Sequence, residues 1–496
     1  MKILNIIFIS LLFSATFLDG QGLQDALRYS ATIPGGTART IGAGGAFGAL
    51  GGDFGALSIN PAGLAVYRKS EFVASFGYLS NSIESLLAGE NFSTITEEGY
   101  PGLENLGIII NKNPIGSKWA TSNFAIGYNK IANFNRDYSF SGSTLGSITE
   151  RWVQLADGIP SGDLDVFETQ PAFIAGAIYD FDEDDLYNTD LDQYQDTRIR
   201  KEQFIAESGG ISELSLSWAG NYDNKFSLGL GLGIPFVNYR ELKEYYEDDP
   251  NAEIPVFNEL QYTEFLNTTG TGINFRGGLI YTPTRKIRVG LSLHSPTYYF
   301  LTDDFFSEIT YDFVDGNGAQ RYTEGSPDGN FQYRFTSPWK AILSIATLYK
   351  VGEIQGFVSA DVEMRNYANA NFNLTSDSNN SADREYQDIL NDDIDFLLTN
   401  SAIIRLGTEM AYKKLRLRAG MQMDQSPFSV DDGAFDNRYS FGIGLRENRF
   451  FIDLALTSFN TGEGYYAYLS ENESRDPFVD SDITRNNFVA TFGFKF

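Results

Sequence analysis

The only histidine of the chain, His294, lies two residues after Ser292 and directly before Ser295. A serine hydrolase needs a hydroxyl, an imidazole that takes up its proton and a polar group that orients the imidazole. A lone histidine within a strand is more often a packed side chain. We therefore expect no enzymatic activity, and a hydrolase built on these three residues is the least favoured hypothesis.

Four arginines could hold the carboxylate of a ligand through pairs of parallel hydrogen bonds. They are Arg276, Arg288, Arg405 and Arg418. We take Arg405 and Arg418 as the first candidates. Acidic residues such as Glu409 and Asp453 share the parity of these arginines along the chain. The alternative, which we favour, is an interior lattice of ion pairs that rigidifies the protein.

A metal site would lack its usual ligands, because the chain has no cysteine and one histidine. Asp180, Asp182 and Asp184 have the spacing that opens a calcium-binding loop. Asp185 and Leu191 stand where that loop needs a glycine and an acid. No nucleotide-binding motif is present either, so we expect no metal and no cofactor.

The chain carries 65 acidic and 37 basic residues, which gives a formal net charge of −28. Nucleic-acid phosphates are bound by basic surfaces, so this charge excludes a nucleic-acid partner. Acidic tracts at 180–192 and 241–249 would also repel an anionic ligand at short range.

From Glu71 onward, apolar side chains recur at every second position, which is the period of a β-strand. The last strand carries one apolar face, formed by Phe488, Ala490, Phe492, Phe494 and Phe496. Short polar turns predict hairpins at 214–218 with 226–236, 273–281 with 287–293, 339–349 with 354–364, 404–412 with 415–423, and 439–445 with 450–456.

Long polar connections separate these hairpins, at 141–208, 241–266, 302–330, 375–398, 426–437 and 463–483. Short turns that alternate with long extracellular loops are typical of outer-membrane barrels. The predicted fold class is therefore all-β, an antiparallel transmembrane β-barrel of about 14 strands. Charged strand residues have the parity opposite to Phe492 and should face the interior. Ser147 and Glu150 have capping-box spacing and predict a short helix at 150–157.

Residues 1–20 combine Lys2, an apolar run from Ile3 to Phe13 and small residues near Gly20, which predicts a signal peptide and export. Residues 21–70 are crowded with glycine, so they suit packing inside a barrel better than crossing lipid. The predicted organisation is a signal peptide at 1–20, an N-terminal plug at 21–70 and a barrel at 71–496.

Residues 43–49 and 58–65 carry a recognisable pattern with Asn60, Pro61 and Ala62 at its centre. This pattern resembles the N-terminal hatch motif of the FadL/TodX outer-membrane transporters of hydrophobic compounds, in the branch common in Bacteroidetes. Further similarity to the closing strands of that family lies at 405–408, 417–420 and 424–427.

The resemblance implies a fourteen-stranded barrel plugged by the hatch, with a lateral exit into the bilayer through a gap in its wall. Its function would be passive, hatch-gated uptake of hydrophobic small molecules such as long-chain fatty acids or similar apolar compounds. We expect a monomer in the outer membrane, in contact with outer-membrane lipid and lipopolysaccharide. Relatives of this architecture also serve type IX secretion, so the alternative is a docking or shuttle protein for secreted proteins.

Overall fold

The computed structural model describes residues 22–32, 35–374, 381–431, 433–471 and 474–496, without the side chain of residue 382. The predicted signal peptide at 1–20 lies outside the described residues. Within the described ranges, no helix is long and apolar enough to cross a membrane.

All strand segments among the described residues belong to one antiparallel sheet. They are β1 (Glu71–Leu87), β2 (Thr94–Lys112), β3 (Trp119–Asn133), β4 (Arg136–Thr144), β5 (Ile199–Tyr222), β6 (Phe226–Asp248), β7 (Phe257–Tyr281), β8 (Ile287–His294), β9 (Tyr298–Asp315), β10 (Gly318–Gly325), β11 (Gly329–Thr336), β12 (Lys340–Val351), β13 (Ile354–Asn366), β14 (Asn371–Asn373), β15 (Asn400–Tyr412), β16 (Leu415–Gln425), β17 (Phe435–Arg446), β18 (Phe450–Tyr466) and β19 (Phe478–Lys495).

Several of these segments continue one another along a single wall strand. This is true of β3 with β4, β8 with β9, β10 with β11 and β12, and β13 with β14. The result is a wall of fourteen strands. Strand β1 pairs with β2 on one side and with β19 on the other, so the sheet closes into a barrel. The predicted fold class is confirmed.

Within the described residues, six α-helices and three short 3-10 helices accompany the wall. They are α1 (Leu23–Ser30), α2 (Ala38–Gly42), α3 (Ala56–Ile59), α4 (Ile148–Ala156), α5 (Thr169–Ala175) and α6 (Ser381–Leu397), with 3-10 turns at Pro61–Val66, Tyr367–Asn369 and Ser429–Asp431. The helix predicted at 150–157 is confirmed as α4, whose first turn is capped by the Ser147 side chain accepting from the Thr149 amide.

Successive side chains along each strand point to opposite faces of the wall, and the two faces differ in polarity. Phe488, Phe492 and Phe494 are about half exposed on the outer face, whereas Thr491 is fully buried on the inner face. Charged groups on a lipid-facing strand surface would cost about 2–4 kcal/mol each near the midplane. An apolar outer band with polar residues inside therefore matches a bilayer as the surrounding solvent.

The predicted long loops are wrong in extent. Strand β6 runs on to Asp248 and β7 already begins at Phe257, inside the loop predicted at 241–266. The loop predicted at 302–330 is mostly the hairpin of β9 and β10. Beyond the bilayer both faces of a strand meet water or polar groups, so the apolar alternation that marks a strand is lost although the backbone pairing continues.

Candidate functional site

The N-terminal segment, defined here as residues 35–66, lies against the inner face of the wall. Inward-facing wall side chains bind its backbone groups. These side chains are Asn105, Thr121, Asn123, Arg276, Arg288, His294, Asp361 and Thr491. They come from strands spread around the barrel, so the segment is held from many sides at once.

The predicted hatch motif, Asn60 to Ala62, packs against two glycines of the wall, Gly229 and Gly278. Asn60 Oδ1 accepts from the Ala62 amide at 3.1 Å, and Asn60 Nδ2 donates to the Gly48 carbonyl at 2.7 Å. A β-carbon on Gly278 would lie 2.0 Å from Asn60 Oδ1, and one on Gly229 would lie 2.2 Å from the Ala62 nitrogen. Only glycine at these two wall positions allows the motif to approach so closely.

We expect Asn60→Ala to lower the free energy of unfolding by about 1–3 kcal/mol, because it leaves the buried Gly48 carbonyl and Ala62 amide without their partner. Urea unfolding of the folded barrel in detergent measures this loss. Asn448→Ala, in an exposed turn, is the control and should change stability by less than about 0.5 kcal/mol. Equal effects from both variants would contradict the role assigned to Asn60.

Two of the four candidate arginines contact the N-terminal segment. Arg276 Nη1 donates to the Leu57 carbonyl at 2.9 Å, while its Nη2 pairs with Glu213. Arg288 donates to the Leu50 carbonyl. Both guanidinium groups are therefore already engaged by the chain itself.

The other two candidates are engaged by acidic wall residues. Arg405 is 1% exposed, and its Nη1 lies 2.9 Å from Glu363 Oε2. Arg418 Nε lies 2.7 Å from Glu409, and its Nη1 lies 2.7 Å from Asp453. The structure thus brings Arg405 and Arg418 together with carboxylates of the wall.

Arg39 of the N-terminal segment extends this network. Its Nε lies 3.0 Å from Glu409 Oε2, and Asp453 in turn pairs with Arg446. Burial disfavours the charged guanidinium of Arg39, but nearby carboxylates, Glu409 first, outweigh burial and raise its pKa. Arg39 therefore stays charged and ties the segment electrostatically to the wall.

We expect Arg418→Met to lower the free energy of unfolding by about 3 kcal/mol. The change leaves Glu409 and Asp453 buried with one cationic partner each, at the low end of the usual cost of breaking a buried pair. Lys414→Met, which breaks the exposed pair with Glu447, is the matched control and should cost about 1 kcal/mol or less. A loss below about 1 kcal/mol for Arg418→Met would contradict the network.

The three residues of the hydrolase hypothesis lie close together. However, the imidazole nitrogen beside the Ser292 hydroxyl is already used in a hydrogen bond to the backbone. His294 Nε2 donates to the Ile59 carbonyl at 3.0 Å and lies 3.1 Å from Ser292 Oγ. Ser295 Oγ donates instead to the Pro296 carbonyl. The polar cavity beside His294 measures about 40 Å³, which is room for only a few waters.

Between β2 and β4 the wall lacks backbone pairing over a long stretch, and we call this place the seam. Strand β2 pairs with β3 only from Asn105 to Lys112, and β4 pairs with β5 on its other side. In the described part of the chain, no backbone ladder joins residues 94–104 of β2 to β4. Side chains meet there instead, with Thr96 Oγ1 3.4 Å from Ser139 Oγ.

The seam results from a break in the third wall strand at Phe134 and Asn135. Asn135 Oδ1 accepts from the Gly209 amide at 2.8 Å, and the Asn135 carbonyl accepts from Asn81 Nδ2 at 2.7 Å. Gly209 has a φ of 105°, a conformation that residues with a β-carbon rarely adopt. The bond to Asn81 draws the broken strand toward the inner face of β1 and away from the edge of β2.

An apolar groove of about 510 Å³ lies on the outer face of the wall, on the strands that border the seam and on those next to them. Its lining includes Ile108, Ile110, Phe124, Ile126, Leu216, Trp218, Leu230 and Phe275. These residues lie nearer the short turns than the seam does. The groove thus offers an apolar surface immediately below the seam.

The end of the barrel away from the short turns is filled by a cap, defined as residues 147–198 with helices α4 and α5. Trp152 of the cap is fully buried, with its ring edge-on to Tyr262 at 5.6 Å. The cap's apolar residues pack among inward residues of β4, β6, β7, β9 and β19. Burial raises the pKa of Asp190 in the cap, although the Tyr311 hydroxyl donates to it. Because the cap contacts strands on several sides of the barrel, it closes the lumen at this end.

Helix α1 occupies the space between the N-terminal segment and the cap. Tyr29 is fully buried against Tyr299 and Phe335, and Arg28 lies over the Tyr239 ring at 3.8 Å from its centroid. The sequence pattern did not indicate this placement. The described interior is thus packed along its length, with no wide aqueous passage.

Solved structures with a similar fold include a toluene transporter and a FadL homologue. The chain aligns with the Pseudomonas putida toluene transporter TodX at a TM-score of 0.52 and 14% identity, covering 94% of this chain and 99% of that one. It aligns with a Pseudomonas aeruginosa FadL homologue at a TM-score of 0.52 and 12% identity, with the same coverage. No protein-family model matches the sequence, and comparison with curated proteins finds no match. The resemblance to the FadL/TodX family is thereby confirmed at the level of the fold.

Proposed function

We propose that the chain is an outer-membrane channel of the FadL type for passive uptake of small hydrophobic molecules. The observation that carries this proposal is the seam, where no backbone ladder closes the side of a barrel that is packed at both ends. In this proposal the N-terminal segment, with Asn60, Pro61 and Ala62 at its centre, is the hatch.

The route follows from where backbone hydrogen bonds are missing. Elsewhere in the apolar band, backbone ladders hold neighbouring wall strands together, and separating those strands would leave many backbone groups unsatisfied in lipid. At the seam only side chains such as Thr96 and Ser139 must part. A ligand that passes the cap would therefore leave sideways through the seam and reach the outer groove.

The chemistry of the route favours neutral apolar ligands over anionic ones. The outer groove is lined mainly by apolar and aromatic side chains. The mouth carries acidic tracts, at 180–192 and 241–249, that repel carboxylates at short range. Long-chain fatty acids remain the second candidate within the same class.

The candidate arginines would then serve the hatch and the wall. Arg276 and Arg288 bind hatch carbonyls, while Arg405 and Arg418 pair with buried carboxylates. A ligand carboxylate would have to displace these partners. We therefore assign the four arginines to holding the closed state.

The test is uptake by a Gram-negative host that lacks its own channels for hydrophobic compounds. Cells expressing the chain should take up radiolabelled toluene faster than cells with an empty vector, and the gain for oleate should be smaller. If folded protein is present in the outer membrane and neither compound enters faster, the proposal fails.

A further inference from the structure

One end of the barrel is basic although the protein as a whole is strongly acidic. This end contains the short turns and the two ends of the wall. We call it the rim and define it as residues 67–70, 112–118, 223–225, 282–286, 350–353, 413–416, 446–449 and 495. The rim contains 14 of the chain's 37 Lys and Arg residues but only three of its 65 acidic residues.

Much of this charge is exposed and unpaired. Ion pairs within the rim or to its neighbours involve Lys414, Arg446 and Lys495. In the part of the chain that the structure describes, the exposed rim residues with no carboxylate within salt-bridge distance include Lys112, Lys118, Lys225, Arg285, Lys286 and Lys350. Like charges at this density repel one another unless anions from outside lie between them.

The basic residues surround the whole barrel at the edge of its apolar band. Ile110, two residues before Lys112, is 47% exposed on the outer face, and Ile287, next to Lys286, is 41% exposed. The Lys413 ammonium lies 5.1 Å from the centroid of the outward Tyr412 ring. A protein partner would need one contiguous patch, whereas a continuous ring suits a partner that surrounds the barrel.

We propose that the rim binds the phosphate groups of anionic phospholipids in the periplasmic leaflet. The proposal rests on the membrane placement in the proposed function, which puts the short turns on the periplasmic side. Lysine and arginine at this depth extend from the apolar band into the headgroup layer, where anionic lipids attract them. The rim thereby recruits an anionic lipid shell and fixes the depth of the barrel.

Two tryptophans near the rim make the lipid shell measurable. Trp119 begins strand β3 beside the rim, and Trp218 lines the outer groove, with their rings 5.9 Å apart. Brominated lipids quench tryptophan on contact. In a Trp152→Phe, Trp339→Phe background, competition between brominated phosphatidylglycerol and phosphatidylcholine gives their relative binding constant at this end of the barrel.

We expect phosphatidylglycerol to bind about 3–10 times more strongly than phosphatidylcholine at 0.1 M salt, with the ratio approaching about 1 at 1 M salt. Replacing Lys112, Lys118, Lys225, Arg285, Lys286 and Lys350 with Gln should lower the ratio toward 1 at low salt. The matched control replaces six basic residues at the other end of the barrel with Gln: Arg198, Arg200, Arg240, Arg321, Arg334 and Arg384. It should keep the wild-type ratio.

An undiminished preference in the rim variant, or none in the wild type, would overturn the proposal. Retention of soluble polyglutamate by the detergent-solubilised protein, without any lipid preference, would overturn it in favour of an acidic partner. Absence of quenching by either lipid would refute the membrane placement itself and with it the proposed function. Failure of toluene uptake would leave the lipid measurement valid, so the two proposals fail separately.

Discussion

Joining Thr96 to Ser139 by a disulfide should reduce toluene uptake to the level of an empty vector. Their hydroxyl oxygens are 3.4 Å apart across the seam, so cysteines at both positions need only small adjustments to form a bond of about 2.0 Å. The chain has no cysteine of its own, so only this bridge can form. The bridge blocks the parting of β2 and β4, and a small thiol reductant should restore uptake.

The matched control places the same bridge where the wall is already closed. Ser440 and Thr457 are also 3.4 Å apart, but they lie opposite each other in the backbone ladder of β17 and β18. A disulfide between cysteines at 440 and 457 should leave uptake unchanged. Normal uptake through a seam bridge shown by gel mobility to be complete would rule out lateral release at the seam.

Gly278→Leu should turn the closed barrel into a leaking one. Its first side-chain carbon would lie 2.0 Å from Asn60 Oδ1 and 3.0 Å from the Ala62 nitrogen, so the N-terminal segment must move away from the wall. The wall itself can keep its ladder, because strand backbone tolerates leucine. We expect ion conductance in planar bilayers, where the unaltered protein is closed, and entry of large hydrophilic antibiotics into cells.

The neighbouring glycine provides the control for this prediction. A β-carbon at Gly277 would meet no atom within 4 Å. Gly277→Leu should therefore leave both conductance and antibiotic resistance as they are. If Gly278→Leu folds, as judged by its mobility on unheated gels, and stays closed, Asn60 to Ala62 do not form the seal.

The hairpins of the wall were readable from sequence, because each strand within lipid must alternate apolar and polar side chains. The pairs predicted at 404–412 with 415–423 and at 439–445 with 450–456 are both present. Where strands leave the lipid, the alternation ends and their true length was hidden. Helix α6 was missed inside a predicted loop, although Tyr386, Leu390 and Ile394 have helical spacing.

The site was harder to predict from the sequence, because it depends on contacts between residues far apart along the chain. The glycines of the hatch were visible as a cluster, and Asn60 to Ala62 marked the motif by resemblance. No local pattern indicated that Gly278, which lies 218 positions after Asn60, would contact this motif. The seam depends on Asn135 and Gly209, which are 74 residues apart. A single sequence carries no signal for such a pairing.

The long strands determine where the end of the barrel opposite the rim meets its surroundings. Strand β5 has 24 residues, which at about 3.3 Å each and a tilt of about 40° rise roughly 60 Å. The apolar band of such barrels is about 25 Å tall, so some 35 Å of hydrogen-bonded wall stands clear of the lipid. In the proposed membrane placement, the entrance for the proposed ligand therefore lies in the medium, far outside the bilayer surface.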